Sequence, residues 1–461
     1  MKAREAKAPM DPGPAGSVSA DEAARSLGVS RATLYAYVSR GLVRSQPVAG
    51  ARERRYSAQD VRALLARREQ RRDPAVAARE ALHFGGPVLD SELALIDGGN
   101  LFYRGHDALA LARTATIEEV AGLLWSGDLS APFPDAGGEP LATAVTTVRR
   151  AVANLPPLEA FEALLATASA LDPASFDLSP DGVRRTGARI VRLLAACAAG
   201  AEPSRRPLAE VLAQGLVPKS RIGPAQRLLD STLVLWADHE LNVSTFVGRC
   251  VASALASPYA VIVAGLAALR GIRHGGATEQ VEALFDEAVD PERAARTLEA
   301  RLRRGERFPG FGHPLYPEGD PRARLLLELL HETLPPRAAS ARESGLARES
   351  GLARESGPAR GSRVTRDAGL PLADALTAAA FSLRGLRPNV DFAVVAVRRT
   401  LGMPDHSALA IVAVGRSVGW IAHALEQYGD ERLIRPRARY VGPQPELRSA
   451  GSGTAGSRGR P

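Results

Sequence analysis

The 461 residues carry 45% hydrophobic and 24% charged side chains, enough apolar material for a large core and more than one domain. Two cysteines, Cys197 and Cys250, share no short motif, which argues against a disulfide framework or a thiolate zinc site and fits a reducing compartment. The formal charge of +8 is local: residues 1–72 hold 15 Lys and Arg against 7 Asp and Glu, leaving 44 of each in the rest of the chain. The excess predicts a polyanionic partner for the N-terminal segment alone.

Residues 1–17 are rich in Pro, Gly and Ala and read as disordered. They contain no apolar stretch of signal-peptide type, so a cytoplasmic location is expected. Residues 18–72 follow the grammar of a helix-turn-helix. Ser19 caps a first helix, Gly28 permits the turn, and Ser30 caps a second helix whose inward positions are Leu34 and Val38. Arg31, Thr33, Tyr35 and Tyr37 then fall at or near its exposed start, where a recognition helix meets base edges and phosphates. After Gly41-Leu42 comes the basic run Arg52-Glu-Arg54-Arg55-Tyr56, and Ser57-Ala-Gln-Asp60 caps another helix. The segment resembles the winged helix-turn-helix of the MerR family, with RRYS placed between the wing and the following helix. That resemblance implies double-stranded DNA as a partner, contacted by the four helix residues with Arg52, Arg54 and Arg55. A small helical bundle that binds protein is the plainer alternative.

Residues 73–88 read as a linker, and from 89 to 443 apolar residues recur at helical spacing, so an all-α domain is predicted. The uncharged stretch Val251 to Leu269 approaches membrane-spanning length but holds Pro258 and two serines, and reads as one buried core helix. Residues 341–357 repeat a six-residue unit, ARESGL, within a flexible insertion placed at 338–363, and 444–461 form a disordered Gly, Ser and Arg tail. Gly415-Arg-Ser-Val-Gly419 fits the hydrolase elbow pattern but lies in an apolar helical run, where that elbow cannot form. No metal, phosphate-loop or dinucleotide motif occurs in a supporting context, so no metal or redox cofactor is expected and no membrane contact.

Four motifs place polar residues where a plain core would not want them. They are Ala237-Asp-His239-Glu-Leu-Asn242-Val-Ser244, Arg270-Gly-Ile-Arg-His274-Gly-Gly, Pro309-Gly-Phe-Gly-His313 followed by Asp320-Pro-Arg322, and Pro388-Asn-Val-Asp391. Singly, each reads as a turn or cap. Together, with Ile96-Asp-Gly98, Tyr103-Arg-Gly105 and Arg435-Pro-Arg-Ala-Arg-Tyr-Val-Gly442, they resemble the citrate synthase family over residues 90–443.

The resemblance implies a citrate synthase fold, with a large helical domain (89–274 and 394–443) and a small mobile domain (275–393). It implies an acyltransferase that joins oxaloacetate to acetyl-CoA or propionyl-CoA, giving citrate or 2-methylcitrate. By position, Asp391 would be the base, His274 the donor to the thioester carbonyl, and His313 the group polarising the ketone. His239, Arg322 and Arg416 would bind the oxo acid, and Arg435 would reach into the partner's site of a homodimer. The chain departs from the family at Ala277-Thr278-Glu279, at Phe392-Ala-Val-Val, and at Tyr316-Pro317-Glu318-Gly319, where many members carry a base suited to CoA phosphate. A DNA-binding regulator that uses the synthase-like domain as dimeriser and metabolite sensor is the second reading.

Overall fold

The computed structural model describes residues 17–47, 54–57, 60, 61, 64, 89–135, 143–333 and 369–443. The expected linker, the six-residue repeat, both tails (save Ser17) and Arg52 lie outside the described residues. The chain forms two compact units, Met1–Asp90 and Ser91–Pro461.

In the first unit, strand β1 (Ser17–Val18) leads into helices α1 (Ala20–Leu27) and α2 (Arg31–Ser39), then strands β2 (Ser45–Pro47) and β3 (Arg54–Ser57). Ser19 and Glu22 form a reciprocal capping box that starts α1, and Gly28 ends it in the left-handed conformation (φ 61°). Ser30 caps α2 through the Thr33 N–H. The strands form one antiparallel sheet in the order β1-β3-β2. RRYS is therefore β3 itself, the central strand, because Tyr56 is pulled inward against Val18, Leu27 and Leu34. The Ser57 hydroxyl accepts from the Asp60 N–H at 3.2 Å, the cap expected there.

The second unit opens with a small antiparallel sheet that the helical periodicity did not predict: β4 (Ala94–Asp97), β5 (Asn100–Tyr103) and β6 (His106–Asp107). Gly98 and Gly99, both at positive φ (57° and 81°), make the two-residue turn between β4 and β5. Helices follow in chain order: α3 (Ala108–Thr114), α4 (Ile117–Ser126), α5 (Thr143–Ala151), α6 (Pro157–Ala170), α7 (Pro180–Ala198), α8 (Leu208–Leu216), α9 (Ile222–Ala237) and α10 (Val243–Ser253). After these come α11 (Pro258–Leu269), α12 (Ala277–Ala288), α13 (Ala294–Arg303), α14 (Pro321–Thr333), α15 (Gly369–Arg384), α16 (Val390–Leu401) and α17 (Ser407–Tyr428). The stretch Val251–Leu269 is two helices, not one. Alpha-10 stops at Ser253, and Pro258 opens α11, where its missing N–H costs nothing. The expected domain boundary at 393 falls inside α16, which is buried along most of its length.

Helix α17 is the centre of the unit and packs against α4, α7, α9, α10 and α11. It has the length and apolarity of a membrane span, yet 94% of its apolar window is buried within the protein. Gly415-Arg-Ser-Val-Gly419 lies wholly within it, as the helical run required. The two glycines, one helical turn apart, allow α9 to approach closely. A β-carbon at Gly415 would lie 3.0 Å from the Leu233 carbonyl, and one at Gly419 would lie 2.2 Å from the Ala237 carbonyl. Gly419→Ala therefore forces α9 and α17 apart and should cost about 3 kcal/mol, seen as a lower urea midpoint. Gly223→Ala, where a β-carbon meets nothing within 4 Å, is the matched control and should leave the midpoint unchanged or slightly higher.

Candidate active site

Five segments bring their polar residues together, and each is held by local chemistry. Alpha-9 ends at Ala237, and the chain turns through Asp238, His239 and Glu240 (φ 51°) before Asn242 caps α10. His274 sits in the tight Gly271–Gly276 turn after α11, its N–H donating to the Gly271 carbonyl at 2.8 Å. His313 lies in the loop before α14, Asp391 in the first turn of α16, and Arg416 in the middle of α17.

The loop carrying His313 is strapped to the start of α16. Gly312 N–H donates to the Arg387 carbonyl at 2.9 Å, Asn389 N–H donates to the Gly310 carbonyl at 2.8 Å, and Phe311 bridges Pro388. The Asn389 side chain also donates to the Gly312 carbonyl at 3.2 Å. Gly310 (φ 80°) makes this possible, since a β-carbon there would meet the Phe392 Cβ at 2.9 Å. Asp320 completes the join: it accepts from Arg322 Nε (3.0 Å), Arg322 Nη2 (2.8 Å) and the Val390 N–H (3.0 Å).

The three histidines are neutral at physiological pH. Burial, with Arg416 nearby, pushes His274 down to about 4. Burial and the Arg322 guanidinium push His313 to about 4. His239 is driven well below its ordinary value by burial and then by Arg322, His313, Arg416 and His274, which places it among all four. Its Nε2 meets the Tyr316 hydroxyl at 3.0 Å, and its ring stands edge-on to His313 with centroids 5.4 Å apart. His313 Nδ1 accepts from the Leu315 N–H at 3.2 Å, so the neutral ring carries its proton on Nε2. His274 Nε2 meets the Ser244 hydroxyl at 2.8 Å.

Asp391 behaves in the opposite sense. Burial raises its carboxyl to about 6 against the pull of the Thr278 hydroxyl, which donates to Oδ1 at 3.0 Å. Arg322 is 3% exposed and stacks its guanidinium 5.5 Å from the Tyr316 ring. Arg416, 1% exposed, donates from Nη2 to Asp238 (3.3 Å) and Thr245 (2.6 Å), while its Nε and Nη1 have no partner among the described residues. Asp238, fully buried, also meets His423 Nε2 at 3.3 Å.

The structure thus gathers His239, His274, His313, Arg322 and Arg416, and it places Asp391 within the field of Arg322 and Asp320. Arg435 is not gathered: it is exposed in the irregular segment after α17. Asp238, Ser244 and Asp320 lie in the motifs, and Thr278 and Tyr316 in segments that depart from the family pattern, but none received a role from sequence. Their only signal was proximity, each within seven residues of an assigned position. Glu318 lines a cleft of about 760 Å³ beside Asp320, and Arg324 and Arg387 line it too. Four carboxylates, Glu318, Asp320, Glu328 and Asp374, share that lining, so the cleft does not replace the positive charge that residues 316–319 lack.

In the first unit Tyr35 is exposed, and Arg31 is exposed but ion-paired with Asp21. Arg54 is exposed and tied to Ser45, and Arg55 is half-buried. Thr33 is half-buried, its hydroxyl held by Ser30, and Tyr37 packs against the core of the unit instead of standing free. On a single helix the positions after the inward Leu34 wrap quickly back toward the core.

Residues 83–437 match the family described as citrate synthase, C-terminal domain, and residues 18–69 match a helix-turn-helix domain. Citrate synthase 2 of Bacillus subtilis is 30% identical over 378 residues, covering 77% of this chain and 93% of the relative. The 2-methylcitrate synthase of Mycobacterium tuberculosis is 29% identical and covers 74% of this chain and 85% of its own. A citrate synthase of Thermoplasma acidophilum, solved as a ternary complex with carboxymethyl coenzyme A and oxaloacetate, superposes with a TM-score of 0.63 at 26% identity. That superposition covers 78% of this chain and 95% of that one. With its helical architecture and ordered motifs matched over most of its length, the chain belongs to the citrate synthase family and carries a helix-turn-helix domain at its N-terminus.

Proposed function

We propose that the helical unit condenses acetyl-CoA or propionyl-CoA with oxaloacetate, giving citrate or 2-methylcitrate and free CoA, with no cofactor. The observation that carries this reading is the Arg416 guanidinium, buried with two nitrogens unpartnered beside neutral histidines, which suits a substrate carboxylate. Arg322 and His239 complete the oxo-acid site.

Asp391 removes the α-proton of the thioester. Its raised value, about 6, makes it a better base than an ordinary carboxylate while it stays ionised at neutral pH. His274 donates to the thioester carbonyl as the enolate forms. The Ser244 hydroxyl donates to Asn242 Oδ1 at 2.9 Å and so accepts from His274 Nε2–H, which makes the Nε2 proton the one offered to the thioester carbonyl when substrate takes the serine's place. His313 donates from Nε2 to the ketone oxygen and gives up that proton as the enolate carbon attacks and an alkoxide develops. Water then cleaves the thioester, leaving a carboxylate and free CoA. Residues 275–393 act as a small mobile domain whose closure excludes water before carbon–carbon bond formation. The exposed Arg435 serves the site of a second copy in a homodimer.

The full-length protein should release CoA from acetyl-CoA or propionyl-CoA in the presence of oxaloacetate, and Asp391→Asn should lower kcat by at least about a hundredfold. Absence of release with both thioesters, or full turnover in Asp391→Asn, removes the reading. The same variant has a stability signature. The folded carboxyl titrates near 6 and the unfolded one near 3.8, so the charge costs stability increasingly as pH rises between those values. Asp391→Asn should therefore gain about 1–3 kcal/mol at pH 8, a gain that fades as pH falls toward 4, read by urea unfolding at each pH.

The N-terminal unit supports a second activity, DNA binding by a dimer that reads a two-fold symmetric site. The supporting observation is the basic excess of residues 1–72, joined to an exposed Tyr35 on α2 and an exposed Arg54 on β3. Affinity of the full chain for duplex DNA should fall steeply with added salt and weaken in Arg54→Ala/Arg55→Ala. Binding that ignores salt, or that survives deletion of residues 1–72, contradicts it.

A further inference from the structure

We propose that Thr278 is the positioning residue for the Asp391 base, its hydroxyl fixing one carboxylate oxygen so that the other faces the proton to be removed. The inference rests on the assignment of Asp391 as the base. Thr278 is 1% exposed and stands in the first turn of α12, and Asp391 stands in the first turn of α16. The 3.0 Å bond between them is the only side-chain hydrogen bond on the Asp391 carboxylate among the described residues. Among the described residues that hydroxyl makes no other hydrogen bond: it does not cap α12, and the Thr278 N–H is already satisfied by the Gly275 carbonyl at 3.0 Å.

A hydroxyl is a suitable choice for this task. It is a neutral donor, so it orients the carboxylate without neutralising it, as a guanidinium in the same place would. It also sits on a β-branched side chain with restricted χ1, which places the donor with little freedom. Because Thr278 follows His274 by four residues, one short segment sets both the carbonyl donor and the orientation of the base. The charged groups around Asp391 are distributed so that the hydroxyl stands alone. From the start of α14 come Arg322 and Asp320, already paired with each other. On α12, Glu279 is exposed and 3.9 Å from His406 at the start of α17, and Glu282 is paired with Arg398 and Arg399 of α16.

The test compares Thr278→Val, which keeps the shape and deletes the donor, with Thr278→Ser, which keeps the donor. In the CoA-release assay, Thr278→Val should lower kcat about tenfold with little change in KM for oxaloacetate. Loss of the donor destabilises the carboxylate, so the acid limb of the pH–rate profile should move upward by roughly one unit. Thr278→Ser should recover both the rate and the limb. A purely structural role would lower the melting temperature and leave the limb where it was. An unshifted limb in folded Thr278→Val, with Asp391→Asn inactive, overturns this proposal alone. Full activity of Asp391→Asn overturns the assignment of the base as well. If Thr278→Val does not fold, Thr278→Ala gives the same reading, and an unshifted limb there overturns the proposal equally.

Discussion

The arrangement depends on one buried carboxylate. Asp320 has no solvent-exposed side-chain surface and sits against an Arg322 that is nearly as enclosed. Burial disfavours its charge, yet Arg322 and two backbone N–H groups more than offset that, and the carboxyl stays below its ordinary value. The Val390 N–H that it accepts belongs to the first residue of α16, so the charge also rests at the positive end of that helix. One side chain thereby ties together the end of the His313 loop, the start of α14 and the start of α16. Removing it would leave a buried arginine without its partner, which is among the costly defects a fold can suffer.

A second buried pair, Arg416 with Asp238, follows the same logic on the other wall of the site. Burial, reinforced by the positive field of the two arginines, keeps all three histidines unprotonated. Neutral rings can donate a hydrogen bond without carrying net charge, which is the state wanted when an oxygen is to be polarised and later protonated. Asp391 lies where desolvation outweighs that field, so of the buried aspartates Asp238, Asp320 and Asp391 the one proposed as the base is the one pushed upward.

The family was legible in the sequence because ordered polar motifs, each of which reads singly as a turn or cap, together resemble citrate synthases. The helix-turn-helix was legible for a different reason, the caps Ser19 and Ser30 and the turn at Gly28. What sequence could not supply was pairing. Periodicity identified 251–269 as buried but missed the break that Pro258 exploits, since its flanks are equally apolar. The β4–β5–β6 sheet escaped because strands of two to four residues carry too few alternations to register. Thr278, Tyr316 and Asp238 escaped because their partners are 77 to 185 residues away in the chain.

The strap between the His313 loop and α16 has a consequence for timing. Two backbone hydrogen bonds, which together make the Phe311–Pro388 bridge, and the Asn389 side chain join His313 and Asp391, the proposed ketone-polarising ring and proposed base, into a single lever. Any displacement that brings one toward His274 carries the other through the same arc. Arrival of the proton acceptor and arrival of the electrophile's activator are then one event on the reaction coordinate. On the proposed roles of His313 and Asp391, the enolate forms only when the group that activates its target stands beside it.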